Sequence, residues 1–170
     1  KTLAGHLNPT GSLAAAVALE ETQDAESAYI AAVIGGEEVT YGQNVFYPLG
    51  KGLHYTIFSY GAPKLTEEKE SVTVTVDVTN AGSVTGKEIL QLYAVDPQGK
   101  LTLAGFAKTD DLEPGATETV SVTILTEQME AGIYCFVAAA DAHAAANHYL
   151  AFLGHTPETT GDPAMVIPWT

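Results

Sequence analysis

Residues 71 to 79 read S-V-T-V-T-V-D-V-T, an alternation of valines with small polar residues that runs unbroken for nine positions. Successive side chains of an extended chain point to opposite faces. Val72, Val74, Val76 and Val78 therefore share one face, and Ser71, Thr73, Thr75, Asp77 and Thr79 share the other. A helix would scatter these valines around its axis, so the pattern admits a half-buried strand and little else. Asn80-Ala81-Gly82 follows as a turn.

The same grammar continues downstream. Lys87 to Val95 predicts a strand with Leu90 and Leu92 on one face and Ile89, Tyr93 and Val95 on the other, closed by the turn Asp96-Pro97-Gln98-Gly99. Leu101 to Lys108 predicts a third strand, and Leu112-Glu113-Pro114-Gly115 a turn. Thr117 to Leu125 alternates again, with Val120, Val122 and Ile124 inward. Ile133 to Ala138 is an apolar strand and His148 to Leu153 is expected as a last one. Short strands spaced near ten residues apart, without a βαβ rhythm, predict an all-β fold. The expected form is an immunoglobulin-like or fibronectin type III-like antiparallel β-sandwich over residues 60–154.

Flanking segments read differently. Residues 1–59 form an irregular, partly helical N-terminal extension. Its Ala-rich stretch Leu13 to Ser27 is expected to be helical, and Tyr29 to Ile34 a short strand ended by Gly35-Gly36. Residues 155–170 carry three prolines and are expected as an extended tail, with Met165 to Trp169 apolar enough to dock on another surface.

Composition removes several functions. Hydrophobic residues make up 46% of the 170 and charged residues 16%, a balance that folds rather than stays disordered. Seven lysines face 21 acidic residues, there is no arginine, and the net charge is -14. Such a chain repels phosphate backbones and anionic lipid surfaces, so neither nucleic acid nor membrane is an expected partner. No apolar run approaches the roughly 20 residues that span a bilayer. No n-region and h-region of a secretory leader open the sequence, and the compartment is left open. The lone cysteine, Cys135, lies in the apolar run Ile133 to Val137 and is expected to be a buried, inert thiol.

Motifs of chemistry are sparse. The acidic pairs Glu20/Glu21, Glu37/Glu38, Glu67/Glu68 and Asp110/Asp111 are neighbours in sequence, and neighbours on a strand face opposite ways. They cannot flank one glycosidic bond as paired catalytic carboxylates do. Asp141, His143, His148 and His155 are spaced by intervals that suit no helical metal motif, so they are read as loop residues and no metal is expected. No phosphate-binding glycine loop and no nucleophile elbow is present, and no cofactor is expected.

One set of motifs, taken in order, carries a resemblance. Tyr47-Pro48-Leu49-Gly50-Lys51-Gly52-Leu53-His54-Tyr55-Thr56-Ile57-Phe58 resembles the Y-P-F-G-x-G-L-S-Y-T-x-F segment of family 3 glycoside hydrolases. Val76 to Gly82 is similar to their V-x-V-x-N-x-G, Gly86 to Tyr93 to their G-K-E-V-V-Q-L-Y, and Leu103 to Lys108 to their L-K-G-F-x-K. Leu112 to Gly115 is similar to L-x-P-G, and Glu130 to Tyr134 to E-x-G-x-Y. Upstream, Gly5 to Leu13 resembles the end of that family's α/β-sandwich domain. The resemblance implies the C-terminal fibronectin type III-like domain of such an enzyme, joined by a linker to the end of the preceding domain.

What it implies for function follows from what is missing. The family's nucleophilic Asp sits in an S-D-W or S-D-Y context in a separate barrel domain, and no Ser-Asp pair occurs here, so no catalytic residue is carried over. The expected role is a non-catalytic stabilising module of a beta-glucosidase-like enzyme, partnered with its catalytic domains in cis or in trans. Phe46, Tyr47, Leu49, Leu53 and Phe58 are the expected domain-interface residues, and their exposure would also permit self-association. Two alternatives stand beside this reading. One is a carbohydrate-binding module in which Tyr41, Phe46, Tyr47 and Tyr55 stack on sugar. The other is a piece of an active glycosidase whose barrel lies elsewhere.

Overall fold

The valines of the alternating segment are buried and the residues between them are half-buried, so the period-two pattern and the pleat agree residue by residue. The computed structural model describes residues 17–18, 25–35, 45–47, 56–155 and 161–170. In chain order its elements are β1 (Val17–Ala18), α1 (Ala25–Ile34), β2 (Val45–Tyr47), β3 (Phe58–Tyr60), β4 (Lys64–Glu67), β5 (Ser71–Asn80), β6 (Ile89–Val95), β7 (Leu101–Lys108), β8 (Thr117–Leu125), β9 (Tyr134–Ala139), α2 (Ala142–Phe152) and β10 (Val166–Trp169).

Two antiparallel four-stranded sheets form the body. In the first, β8 pairs with one edge of β5 along its whole length, while β3 and β4 share the other edge. The second has the order β10-β9-β6-β7. Between the sheets lie the four valines of β5, Leu90 and Leu92 of β6, Val120 and Val122 of β8, and Phe136 and Ala138 of β9. β1 and β2 pair with each other as a separate two-stranded ribbon. This is the antiparallel sandwich that the alternation predicted.

Val74 and Val122 face each other across the β5-β8 ladder, both buried. Val74→Ala and Val122→Ala are each expected to cost about 1 to 3 kcal/mol through lost burial and a residual cavity. Thr73→Ala, on the outer face, should stay within about 0.5 kcal/mol. Denaturant melts read the difference, and a Val74→Ala midpoint equal to wild type would contradict the register.

The second sheet is covered on its other face too. Tyr93 and Val95 of β6 and Cys135, Val137 and Ala139 of β9 pack against Tyr29 and Ile30 of α1 and against Ala142, Ala145, Ala146 and Leu150 of α2. The molecule is therefore three layers deep, sheet on sheet on helices. Strands buried on both faces read as apolar runs, which is why β9 shows no alternation.

Three expectations about secondary structure are corrected. Tyr29 to Ile34 is the C-terminal part of α1 and not a strand: the segment has no Pro or internal Gly, and its Ala-rich run favours the helix. Leu13 to Ser27 is not one helix, since Val17–Ala18 pairs with β2; of its described residues Ala25–Ser27 are helical, and 13–16 and 19–24 lie outside those described. His148 to Leu153 is not a strand, because it continues α2. Asp141 starts that helix, its side chain accepting the Ala144 N–H at 2.9 Å, and the buried positions 142, 145, 146 and 150 recur at helical spacing.

The C-terminal segment expected as an extended tail supplies β10 instead. Val166 to Trp169 pair with Val137 to Tyr134, and the Trp169 ring lies 6.0 Å from that of Phe136. Its apolar residues dock on the domain's own sheet.

Candidate functional site

The end of β5 carries a buried polar knot. Asn80 is fully buried. Its Oδ1 accepts from Thr56 Oγ1 at 2.7 Å and from the Gly82 N–H at 3.0 Å, while its Nδ2 donates to the carbonyls of Val84 and Leu112. Thr56 belongs to the linker, Gly82 and Val84 to the turn after β5, and Leu112 to the turn before β8. One amide thus ties the linker to two turns, which explains the Asn of the V-x-V-x-N-x-G segment. Gly82 is required beside it, because a Cβ there would lie 2.0 Å from Thr56 Oγ1.

A second buried polar group lies where β3 meets the start of β6. Burial, and then the Glu88 carboxylate beside it, push the Tyr60 phenol far above its ordinary range. Glu88 Oε1 also accepts the Ile89 N–H at 2.6 Å. Gln91 bridges the Ala140 carbonyl and the Tyr93 hydroxyl. The Glu and Gln of the G-K-E-I-L-Q-L-Y segment are therefore buried anchors of the sheet and not groups presented to a substrate.

The sequence-predicted sites fall unevenly. Tyr41, Leu49, Leu53 and Tyr55 lie outside the described residues, and of Phe46 and Tyr47 only the β2 backbone is described. Phe58 packs on the inter-sheet core. Of the histidine group, Asp141 caps α2, His143 lies against the Tyr29 ring and the Asn147 amide, and His148 accepts the Asp162 N–H. Among the described residues no three His, Cys, Asp or Glu could hold a metal ion together.

A cleft between the Val95–Gly99 turn, Ile133, Cys135 and Tyr149 has the volume for a small ligand but not the chemistry. Its one carboxylate, Asp96, accepts the Gln98 and Lys100 N–H groups and shapes the turn. Burial pushes the Cys135 thiol upward, away from the reactive thiolate. Two carboxylates facing each other across a bond, which glycoside hydrolysis needs, are not brought together there.

What the sequence did not reveal is an apolar ledge on the helix side. Leu103 pairs with Tyr93 and Phe106 with Gln91, on the face of the second sheet that the helices cover. The register shift near Ala104 keeps Leu103 and Phe106 on that one face. The helical layer nevertheless leaves β7 open there, and Leu103 is 41% and Phe106 67% exposed. Helix α1, which touches β7 where Ser27 Oγ accepts the Leu101 N–H, exposes Ala28, Ala31 and Ile34 at a spacing of three. A helix apolar on nearly every side is ordinarily a buried one.

Comparison with known proteins matches this architecture. The fibronectin type III-like domain model matches residues 88–131. A beta-xylosidase of Formosa agariphila is 44% identical over 84 residues, which is 44% of this chain and 12% of that protein. Beta-glucosidase A of Butyrivibrio fibrisolvens is 36% identical over 107 residues, 51% of this chain and 13% of its own length. The structure of beta-glucosidase 3B from Thermotoga neapolitana superposes with a TM-score of 0.54 at 30% identity, covering 66% of this chain and 17% of that one. A beta-glucosidase from Paenibacillus barengoltzii, at 24% identity, shares the fold with a TM-score of 0.64 over 82% of this chain and 19% of its own. The chain spans about an eighth of the length of these curated relatives. It carries a fibronectin type III-like domain and matches the C-terminal region of family 3 glycoside hydrolases.

Proposed function

We propose that this chain is the non-catalytic accessory module of a beta-glucosidase-like glycoside hydrolase, and that it stabilises the catalytic part by packing against it. The observation that carries the reading is the open helix-side ledge of Leu103 and Phe106, beside a helix α1 whose outer face is also exposed, on a sandwich whose matched part is only about an eighth of its curated relatives' length. Large apolar side chains left exposed on one face of a strand are what a contact with another body would cover. A net charge of -14 opposes pairing with a second copy, which favours the rest of the enzyme as that body.

The purified chain is expected to show no turnover of nitrophenyl β-glucoside or β-xyloside; turnover abolished by one Asp or Glu substitution would overturn the non-catalytic reading. In the whole enzyme that carries this module, Leu103→Asp/Phe106→Asp is expected to lower the temperature at which aryl-glycoside activity is lost. The isolated chain with the same substitutions should melt as wild type does. An unchanged inactivation temperature would reject docking through this ledge.

A further inference from the structure

Residues 161–169 form a strap that leaves the far side of α2 and ends in the sandwich. Gly161 lies flush on the helix: a Cβ there would be 2.1 Å from the Asn147 carbonyl oxygen. Next, the Asp162 N–H donates to His148 Nδ1 at 2.8 Å. The Asp162 carboxylate accepts the Ala164 N–H at 2.9 Å and caps the short turn Pro163–Met165, which buries Met165. Only then does β10 pair with β9 and bring Trp169 against Tyr134 and Phe136. The hydrogen bond to His148 is thus the polar pin at the strap's entry.

That pin needs a neutral ring. Nδ1 can accept only when the proton sits on Nε2. In the imidazolium both nitrogens carry protons, and the Asp162 N–H would face another N–H. We infer that His148 is a proton-sensitive latch, holding the C-terminal strap on the domain at neutral pH and loosening it in mild acid.

The surroundings of the ring agree. Burial lowers the affinity of His148 for a proton, and this outweighs the opposite pull of Asp162 from the strap and Asp141 from the head of α2. From the other elements packed on α2, α1 contributes Tyr29 and Ile30, and β9 contributes Cys135, Val137 and Ala139, none of them charged at neutral pH. His143, on α2 itself, lies against Tyr29. A histidine with a lowered folded value binds fewer protons in the closed state than in the open one. Closure is therefore fully favoured above the ordinary histidine value of about 6.5 and weakens as pH falls through the lower, folded value.

The test follows the strap and the sandwich separately in this chain. Amide exchange protection, corrected for intrinsic rates, is measured for β10 and for β5 from about pH 7.5 to 5, across the histidine range, with Trp169 emission as a second reporter of the strap. It is the only tryptophan in the chain. β10 protection is expected to fall several-fold and Trp169 emission to move to the red, while β5 protection holds. The midpoint should coincide with the titration of the His148 ring nitrogens followed by NMR. In His148→Gln, whose amide oxygen can accept the same hydrogen bond without titrating, β10 protection should be flat. Flat β10 protection in wild type overturns the latch. So does a strap midpoint apart from that of the His148 ring, a reading that needs no variant, and so does an unchanged fall in His148→Gln.

Discussion

Asn80→Ala is expected to be among the most damaging single substitutions in this domain, with a loss of about 3 to 5 kcal/mol. The side chain makes four hydrogen bonds, all from a fully buried position. Each net hydrogen bond is worth about 1 kcal/mol, and a buried partner left without one costs about 1 to 3 kcal/mol. Truncation removes the Asn80 partner of the Val84 carbonyl, the Gly82 N–H and the Thr56 hydroxyl together, and leaves the Leu112 carbonyl with the Gly86 N–H alone. The costs do not simply add, because the turns can relax toward water once the knot is cut. Asn80→Asp should be no better: an oxygen replaces Nδ2 against two carbonyls, and a charge enters a buried site. Thr79→Ala is the control one residue away, its hydroxyl bonded to that of Thr117 on the exposed face, and should change stability by less than about 0.5 kcal/mol. Urea unfolding followed by far-ultraviolet dichroism would measure both. A loss below about 1 kcal/mol for Asn80→Ala would show that the linker and turns are held by something other than this amide.

Phe136→Ala is expected to cost a similar amount, about 3 to 5 kcal/mol, by a different mechanism. Phe136 is buried between the sheets on β9, a strand with neighbours on both edges and helices on its outer face. Its ring cannot be replaced by movement of surrounding side chains without breaking one of these layers, so a cavity remains. The Trp169 ring packs on it at 6.0 Å, so the substitution should also expose the indole and shift its emission to the red before global unfolding. Denaturant melts read by dichroism and by Trp169 emission should separate in the variant and coincide in wild type. Coincident transitions with a small loss of stability would mean that the core collapses around the missing ring.

The polar knot shows how far the sequence reaches. Asn80 and Gly82 stand out as a turn after a faultless strand, and the motif around them points to a family resemblance. Nothing local shows that the amide ties together Thr56, Val84 and Leu112, because those partners lie up to 32 residues away. The ledge is hidden for the same reason. Leu103 and Phe106 read as ordinary strand residues, and their exposure depends on how far α1 and α2 extend over β7.

The histidine region is the instructive error. His148 to Leu153 has the apolar and aromatic content of a strand, but the Ala tract before it and the Asp141 cap start a helix that carries through the segment. Propensity and capping outweigh composition there because the face at positions 142, 145, 146 and 150 has a sheet to pack on. That sheet face exists only after β6 and β9 have paired.

The sequence by itself determined the alternating strands β5, β6 and β8, their inward faces and the turns around them, but not β3 and β4. Each feature it determined is written in contacts of period two or in turns of four residues, and such signals are local. Tertiary structure alone decided that β6 and β9 are buried on both faces, that two helices form a third layer, and that Val166–Trp169 closes the sheet. An apolar run is compatible with a strand or a helix and with one covered face or two. The choice among them is made by the free energy of burying that run against partners distant in the chain.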